Sequence, residues 1–136
     1  ASTDQTARVW DVEAAERNGI LSGHGSFVYG VAWHPDGRRL ASAAWDGTIR
    51  QWDADSGRQV SSCPVSRYGF SVAYSPKGGL LASLSRDNAI HLWSPEDGRE
   101  LHRWTAPTDH WLTGQVIFSP DGKLLAASCS DGAVRL

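Results

Sequence analysis

The stretch HPDGRRLASAAWDGTIRQWDADSGRQV, His34 to Val60, decides the fold. Pro35 sets φ for a turn after His34, and Gly37 supplies the positive φ that closes it. Arg39 to Ala44 is a run dominated by small residues. Asp46-Gly47 is a hairpin signal with β-formers on both sides. Thr48 to Trp52 reads as the next strand, Asp55-Ser56-Gly57 turns again, and Arg58 to Ser62 is an outer strand. Upstream, Phe27 to Trp33 alternates toward the first turn. Nothing along this stretch carries helical periodicity with caps.

The pattern recurs. SPKGGLLASLSRDNAIHLWSPEDGREL runs from Ser75 to Leu101, and SPDGKLLAASCSDGAVRL from Ser119 to Leu136. A shorter copy, ASTDQTARVWDV, opens the chain. The repeated Asp stands at 4, 46, 87 and 131, in steps of 42, 41 and 44. The repeated Trp (10, 52, 93) and the turn Pro (35, 76, 120) keep the same period. A period of about 40–45 residues with four strands per unit marks a β-propeller blade. The expected fold is all-β, with blades of four antiparallel strands. With about three repeats, the propeller is either incomplete or part of a larger or oligomeric one. The units divide as a partial blade over 1–23, blades over 24–64 and 65–106, and a partial blade over 107–136. The Leu40-Ala41-Ser42 and Leu81-Ala82-Ser83 strands are small enough to lie near a crowded axis. Trp33, Tyr74 and Phe118 recur once per repeat and are expected in the core between blades.

Bulk properties narrow the function. The formal charge is −2, which gives nucleic acid and anionic membranes nothing to attract. No apolar run reaches the roughly 18 residues of a membrane span, and no signal-peptide pattern opens the chain. Cys63 and Cys129 read as two small apolar side chains, not as a disulfide or a metal site. They fit a reducing, cytoplasmic setting. No cofactor or metal is implied.

The chain resembles the WD40-repeat family over essentially its whole length. Gly23-His24, Ser42, Asp46-Gly47 and Trp52-Asp53 carry the resemblance. Looser copies are Ser83, Asp87-Asn88 and Trp93-Ser94, then Asp131-Gly132, and Asp4 with Trp10-Asp11 at the front. The family locks each blade with a hydrogen-bonded Asp, His, Ser/Thr and Trp. The resemblance assigns His24, Ser42, Asp46 and Trp52 to one such set. Ser83, Asp87 and Trp93 form a second, with Val65 where His belongs. Asp131 begins a third, with Ala127 in the Ser position and His110 a poorly spaced substitute for His. His34, His91 and His102 read as turn or strand-surface residues. A Ser-His-Asp catalytic triad is the less economical reading of a motif that repeats in every blade.

The resemblance also implies a binding rim, with three positions per blade. They are Phe27, Tyr29 and Trp45 in the first full blade, and Tyr68, Phe70 and Arg86 in the next. In the last they are Leu112, Gly114 and Ser130, with Trp111 beside them. Aromatics and Arg dominate interface hot spots. Trp45 and Arg86 directly precede the repeated Asp, where the third copy has Ser130, which suggests a solvent-facing position free to specialise. The insertion around Thr105-Ala106-Pro107-Thr108-Asp109 lengthens a loop and ranks second as a binding feature.

The expected function is therefore a non-catalytic protein-interaction scaffold or sensor module that binds a peptide or protein loop. A small-ligand or glycan-binding propeller is the alternative, and a propeller-based enzyme a distant third. Three repeats do not close a ring by themselves. The expected partners include the remaining blades of a longer parent chain, or further copies of this chain. The duplicated strand at Asp131 onward argues against seamless head-to-tail closure.

Overall fold

A computed structural model describes residues 2–13, 16–66, 68–106, 112–130 and 134–135. Of the expected site residues, Trp111 and Asp131 lie outside these, as do His110 and most of the 105–109 insertion. The described chain is all-β. Its strands are β1 Thr6–Asp11, β2 Glu16–Ser22, β3 Val28–Trp33, β4 Arg39–Ala44, β5 Thr48–Asp53, β6 Gln59–Pro64, β7 Gly69–Tyr74, β8 Leu81–Ser85, β9 Ala89–Trp93, β10 Glu100–Thr105, β11 Leu112–Phe118, β12 Leu125–Cys129 and β13 Val134–Arg135.

All described pairings between named strands are antiparallel, each strand with the next one in its sheet. Two sheets have four strands, β3–β4–β5–β6 and β7–β8–β9–β10. They are flanked by the pair β1–β2 and the triplet β11–β12–β13. The turn chemistry is that read from the sequence. Gly37 and Gly47 have φ of 71° and 80°, and Asn88, standing where the first blade has Gly47, reaches 63°. Asn tolerates this left-handed conformation better than most side chains.

Each sheet buries its faces only against its neighbours. Ala7, Leu21, Val28, Leu40 and Trp52 join β1–β2 to the next sheet. Ile49, Cys63, Val72, Tyr74, Leu81 and Trp93 join the two four-stranded sheets. Leu84, Leu112, Val116, Ala127 and Cys129 form the third layer. A polar tie crosses the middle layer, where Tyr74 O–H donates to the buried Gln51 Oε1 at 2.7 Å.

Three expectations change. The innermost strands are β3, β7 and β11, which line one concave groove of about 780 Å³. The Leu-Ala-Ser segments belong to β4 and β8, one strand further out, and are small because a sheet presses on each side. Gly30 marks the tightest approach of inner strands. A Cβ there would stand 3.0 Å from Phe70 O and from Ser71 Cα. Tyr74 is buried and Phe118 half-buried, but Trp33 is 50% exposed. The sheet on its side contributes only β1 and β2, which leaves this end of β3 uncovered. His34 is buried rather than on the surface. Its Nε2 faces Gly78 O at 3.2 Å, and its ring meets the Tyr74 ring edge-on at 4.8 Å.

Candidate functional site

The first full sheet carries a continuous hydrogen-bond chain. Trp52 Nε1–H donates to Ser42 Oγ at 2.7 Å, and Ser42 Oγ lies 2.7 Å from His24 Nε2. His24 Nδ1 meets Asp46 Oδ2 at 2.8 Å. Asp46 also accepts from Gly25 N–H, Thr48 N–H and Thr48 Oγ1. One ring proton satisfies the whole chain: Nδ1–H donates to Asp46, and Nε2 accepts from Ser42. Ser42 is fully buried and spends both its hydrogen and its oxygen inside this lock, so it is no poised nucleophile.

The protonation chemistry follows. Burial holds the His24 pKa below the ordinary histidine value, against the opposing pull of Asp46. The unfolded chain takes up a proton near pH 6.5, whereas the folded ring resists it. Stability contributed by the neutral ring is therefore lost as pH falls below about 6.5 toward the lowered folded value. We expect a lower melting temperature at pH 5 than at pH 7.5. His24→Gln should shrink that difference, and an unchanged difference in the variant would refute this assignment.

The next sheet keeps the Trp–Ser bond, with Trp93 Nε1–H donating to Ser83 Oγ at 2.9 Å. Val65 stands in place of the loop histidine and packs in the apolar layer. The imidazole comes instead from β9. His91 is buried, stacks on Trp93 at 5.4 Å, and places Nε2 3.2 Å from both Asp87 Oδ2 and Ser85 Oγ. Its Nδ1 lies 2.7 Å from Glu100 Oε1, and Arg103 donates to Asp87 at 2.8 Å. The surface reading of His91 is thus corrected, while His102 is exposed as expected. The missed signal was spacing. An imidazole four residues after Asp, across the β8–β9 hairpin, reaches the carboxylate that a loop histidine reaches from outside.

The rim positions of the two full sheets come together. The Trp45 ring stacks on Tyr29 at 4.8 Å and tilts against Tyr68 at 4.9 Å and Phe27 at 5.9 Å. Phe70 meets Tyr29 and Trp45 edge-on at 6.1 and 6.4 Å. The Arg86 guanidinium lies 5.6 Å above the Tyr68 ring and forms no ion pair with a described residue. Phe27, Tyr29 and Tyr68 remain about 40% exposed. Trp45 differs from the solvent-facing side chain expected. It is half-buried at the centre of the cluster because rings from both sheets close over it. Its Nε1–H is buried with no hydrogen-bond partner among the described residues. Leu112 does not join. It is buried in the third apolar layer, and its N–H donates to Asn88 Oδ1 at 2.7 Å. Ser130 is exposed, and Gly114 lies on the inner groove with φ of 96°.

Among the described residues, no group of three His, Cys, Asp or Glu could hold a metal ion. Nor, among them, is any helix long and apolar enough to cross a membrane.

Comparison with known proteins agrees with this architecture. Coronin-7 of Rattus norvegicus is 39% identical over 56 residues, 41% of this chain and 6% of that protein. Striatin-4 of Homo sapiens is 46% identical over 44 residues, 32% of this chain and 6% of that protein. Nuclear distribution protein PAC1 of Yarrowia lipolytica is 45% identical over 56 residues, covering 41% of this chain and 13% of that protein. The chain thus matches only a small part of these relatives' length. A family model, the WD domain, G-beta repeat, matches residues 15–53, 57–94 and 98–136. Each matched stretch holds the outer strand of one sheet and the three inner strands of the next, as β2 with β3–β5 shows. With three such matches covering most of its length, the chain belongs to the WD40 family.

Proposed function

We propose that this chain is a non-catalytic interaction module that takes a peptide or protein loop on the rim around Trp45 and Arg86. The observation that carries the reading is the five-ring cluster spanning two sheets, with the Arg86 guanidinium over the Tyr68 ring at its edge and in no ion pair with a described residue. Half-exposed aromatics on a rigid frame offer contact area at low entropic cost. Arg86 selects for a carboxylate next to the partner's apolar anchor. Rigidity comes from the two hydrogen-bonded locks, which sit directly behind Trp45 and Arg86 in the sequence. The free, buried thiols of Cys63 and Cys129 suit a reducing compartment such as the cytoplasm, and burial raises Cys63 to about 11.

A pull-down from the source cell tests this. The wild-type chain should retain a protein that the Trp45→Ala, Arg86→Ala double variant loses, with both chains equally folded by circular dichroism. Arg86→Glu alone should weaken capture at least tenfold if the partner is acidic there. Unchanged capture by the double variant would remove the rim from the account.

A further inference from the structure

The aromatic rim holds a spare hydrogen-bond donor. Trp45 Nε1–H is buried, and no described residue accepts from it. Leaving such a group unpaired is costly, and folded chains carry few of them. Its surroundings are ordered. The indole stacks on Tyr29 at 4.8 Å, within 13° of parallel, and tilts against Tyr68 at 4.9 Å. The Arg86 guanidinium then lies 5.6 Å from the Tyr68 ring centroid. Three rings and a cation thus succeed one another, each against the next. All four residues belong to the two complete four-stranded sheets: Tyr29 on β3, Trp45 directly after β4, Tyr68 directly before β7 and Arg86 directly after β8.

This row restricts what can dock on it. Strand addition is closed. β4 and β8 are paired on both sides, and β3 meets β7 at Gly30, where an added Cβ would stand 3.0 Å from Phe70 O. No strand fits between them. A helix spends its backbone carbonyls on its own N–H groups and leaves none along its body for the indole. A methylated ammonium group seeks aromatic faces, but the Arg86 charge over Tyr68 repels it. A polyproline II segment meets every condition. It has no internal hydrogen bonds, so its carbonyls are free to accept, and its backbone is already extended. Its prolines dock on aromatic-lined surfaces. At a rise of about 3.1 Å per residue, roughly five residues follow the path from Tyr29 to Arg86. Arg86 forms no ion pair with a described residue and so calls for a carboxylate at the end of that path.

We infer that the rim takes a proline-rich segment with an acidic residue beside its prolines. The inference rests on the interaction-module reading above and adds the partner's chemistry to it. Proline rings pack on Tyr29 and Tyr68, whose side chains are about 40% exposed. A backbone carbonyl of the segment accepts from Trp45 Nε1–H, and the acidic side chain meets Arg86. A small rotation of the rings over the indole admits the carbonyl, a side-chain change common at interfaces. The carbonyl relieves the unpaired donor of the free chain, so this bond contributes affinity as well as orientation.

Selection from a random peptide library displayed on phage tests this. The wild-type chain should enrich clustered prolines with Asp or Glu beside them. Selected peptides without proline enrichment, or no selected peptide at all, would overturn the inference. The Arg86→Glu chain should enrich Lys or Arg in place of the acidic residue, and an unchanged acidic preference would overturn it equally. The two readings fail separately. Peptides that bind the Trp45→Ala, Arg86→Ala double variant undiminished would place binding off the rim and remove the rim itself. Peptides that lose affinity for the double variant yet lack proline would leave the rim standing and overturn only the proline assignment. A spectroscopic readout follows the hydrogen bond without any variant. On saturation with a selected peptide, the Trp45 indole Nε1–H resonance of the wild-type chain should move downfield, and an unmoved resonance would overturn the inference. Trp45→Phe, which keeps a ring but has no donor, should bind the same peptide about tenfold more weakly.

Discussion

Replacing Trp52 by alanine is expected to cost about 3–5 kcal/mol, the range for deleting a buried aromatic side chain. Trp52 is 1% exposed and packs against Leu21, Val28 and Leu40, so two sheets lose contact at once. The loss is a large part of the 5–15 kcal/mol typical of a folded domain. A chain of this size should melt roughly 10–20 °C lower. Trp52→Phe separates volume from hydrogen bonding. It refills most of the space but leaves Ser42 Oγ without its indole donor, for a loss of about 1–3 kcal/mol. Thermal unfolding followed by circular dichroism measures both. Equal melting of wild type and Trp52→Ala would show that the lock does not hold the sheets together.

The second large effect is at Gly30. In an ordinary strand, exchanging glycine for a residue with a side chain stabilises, because glycine is entropically costly there. At Gly30 the sign should reverse. Its added Cβ meets backbone atoms of Phe70 and Ser71 at 3.0 Å, and backbone cannot turn aside as a side chain can. Gly30→Ala should destabilise by about 1–3 kcal/mol and Gly30→Val by more, as for overpacked cores. Gly19, on β2, has nothing within 4 Å of its added Cβ. Gly19→Ala should therefore gain about 0.5 kcal/mol, the usual strand preference. Opposite signs at the two glycines, read from denaturant midpoints, are the expected result. A neutral Gly30→Val would mean that β3 and β7 separate freely.

Much of this architecture was legible in the sequence because its signals are local. Pro-Asp-Gly and Asp-Gly turns fix where strands end, and the period fixes how many there are. The Trp52–Ser42–His24–Asp46 set could be read because its members recur at fixed offsets. What was not legible depends on packing between units. Trp33 and Tyr74 occupy equivalent positions, yet one is exposed and the other buried, because only the second has a full sheet on that side. Trp45 was expected to face solvent, since it precedes a turn, but rings from two sheets converge on it. His91 was passed over because it stands on a strand where the family pattern places no lock residue. Periodicity names a position, and the neighbouring unit decides its environment.

The hydrogen-bonded locks close within one sheet, whereas the apolar layers join one sheet to the next and no farther. Cohesion is then a sum over adjacent interfaces, like the energy of a one-dimensional array. Gaining or losing a whole unit of about 41 residues changes how many interfaces exist without altering their kind. Such a chain can change length by duplication, each new unit arriving with its lock complete and both faces already complementary to its neighbours.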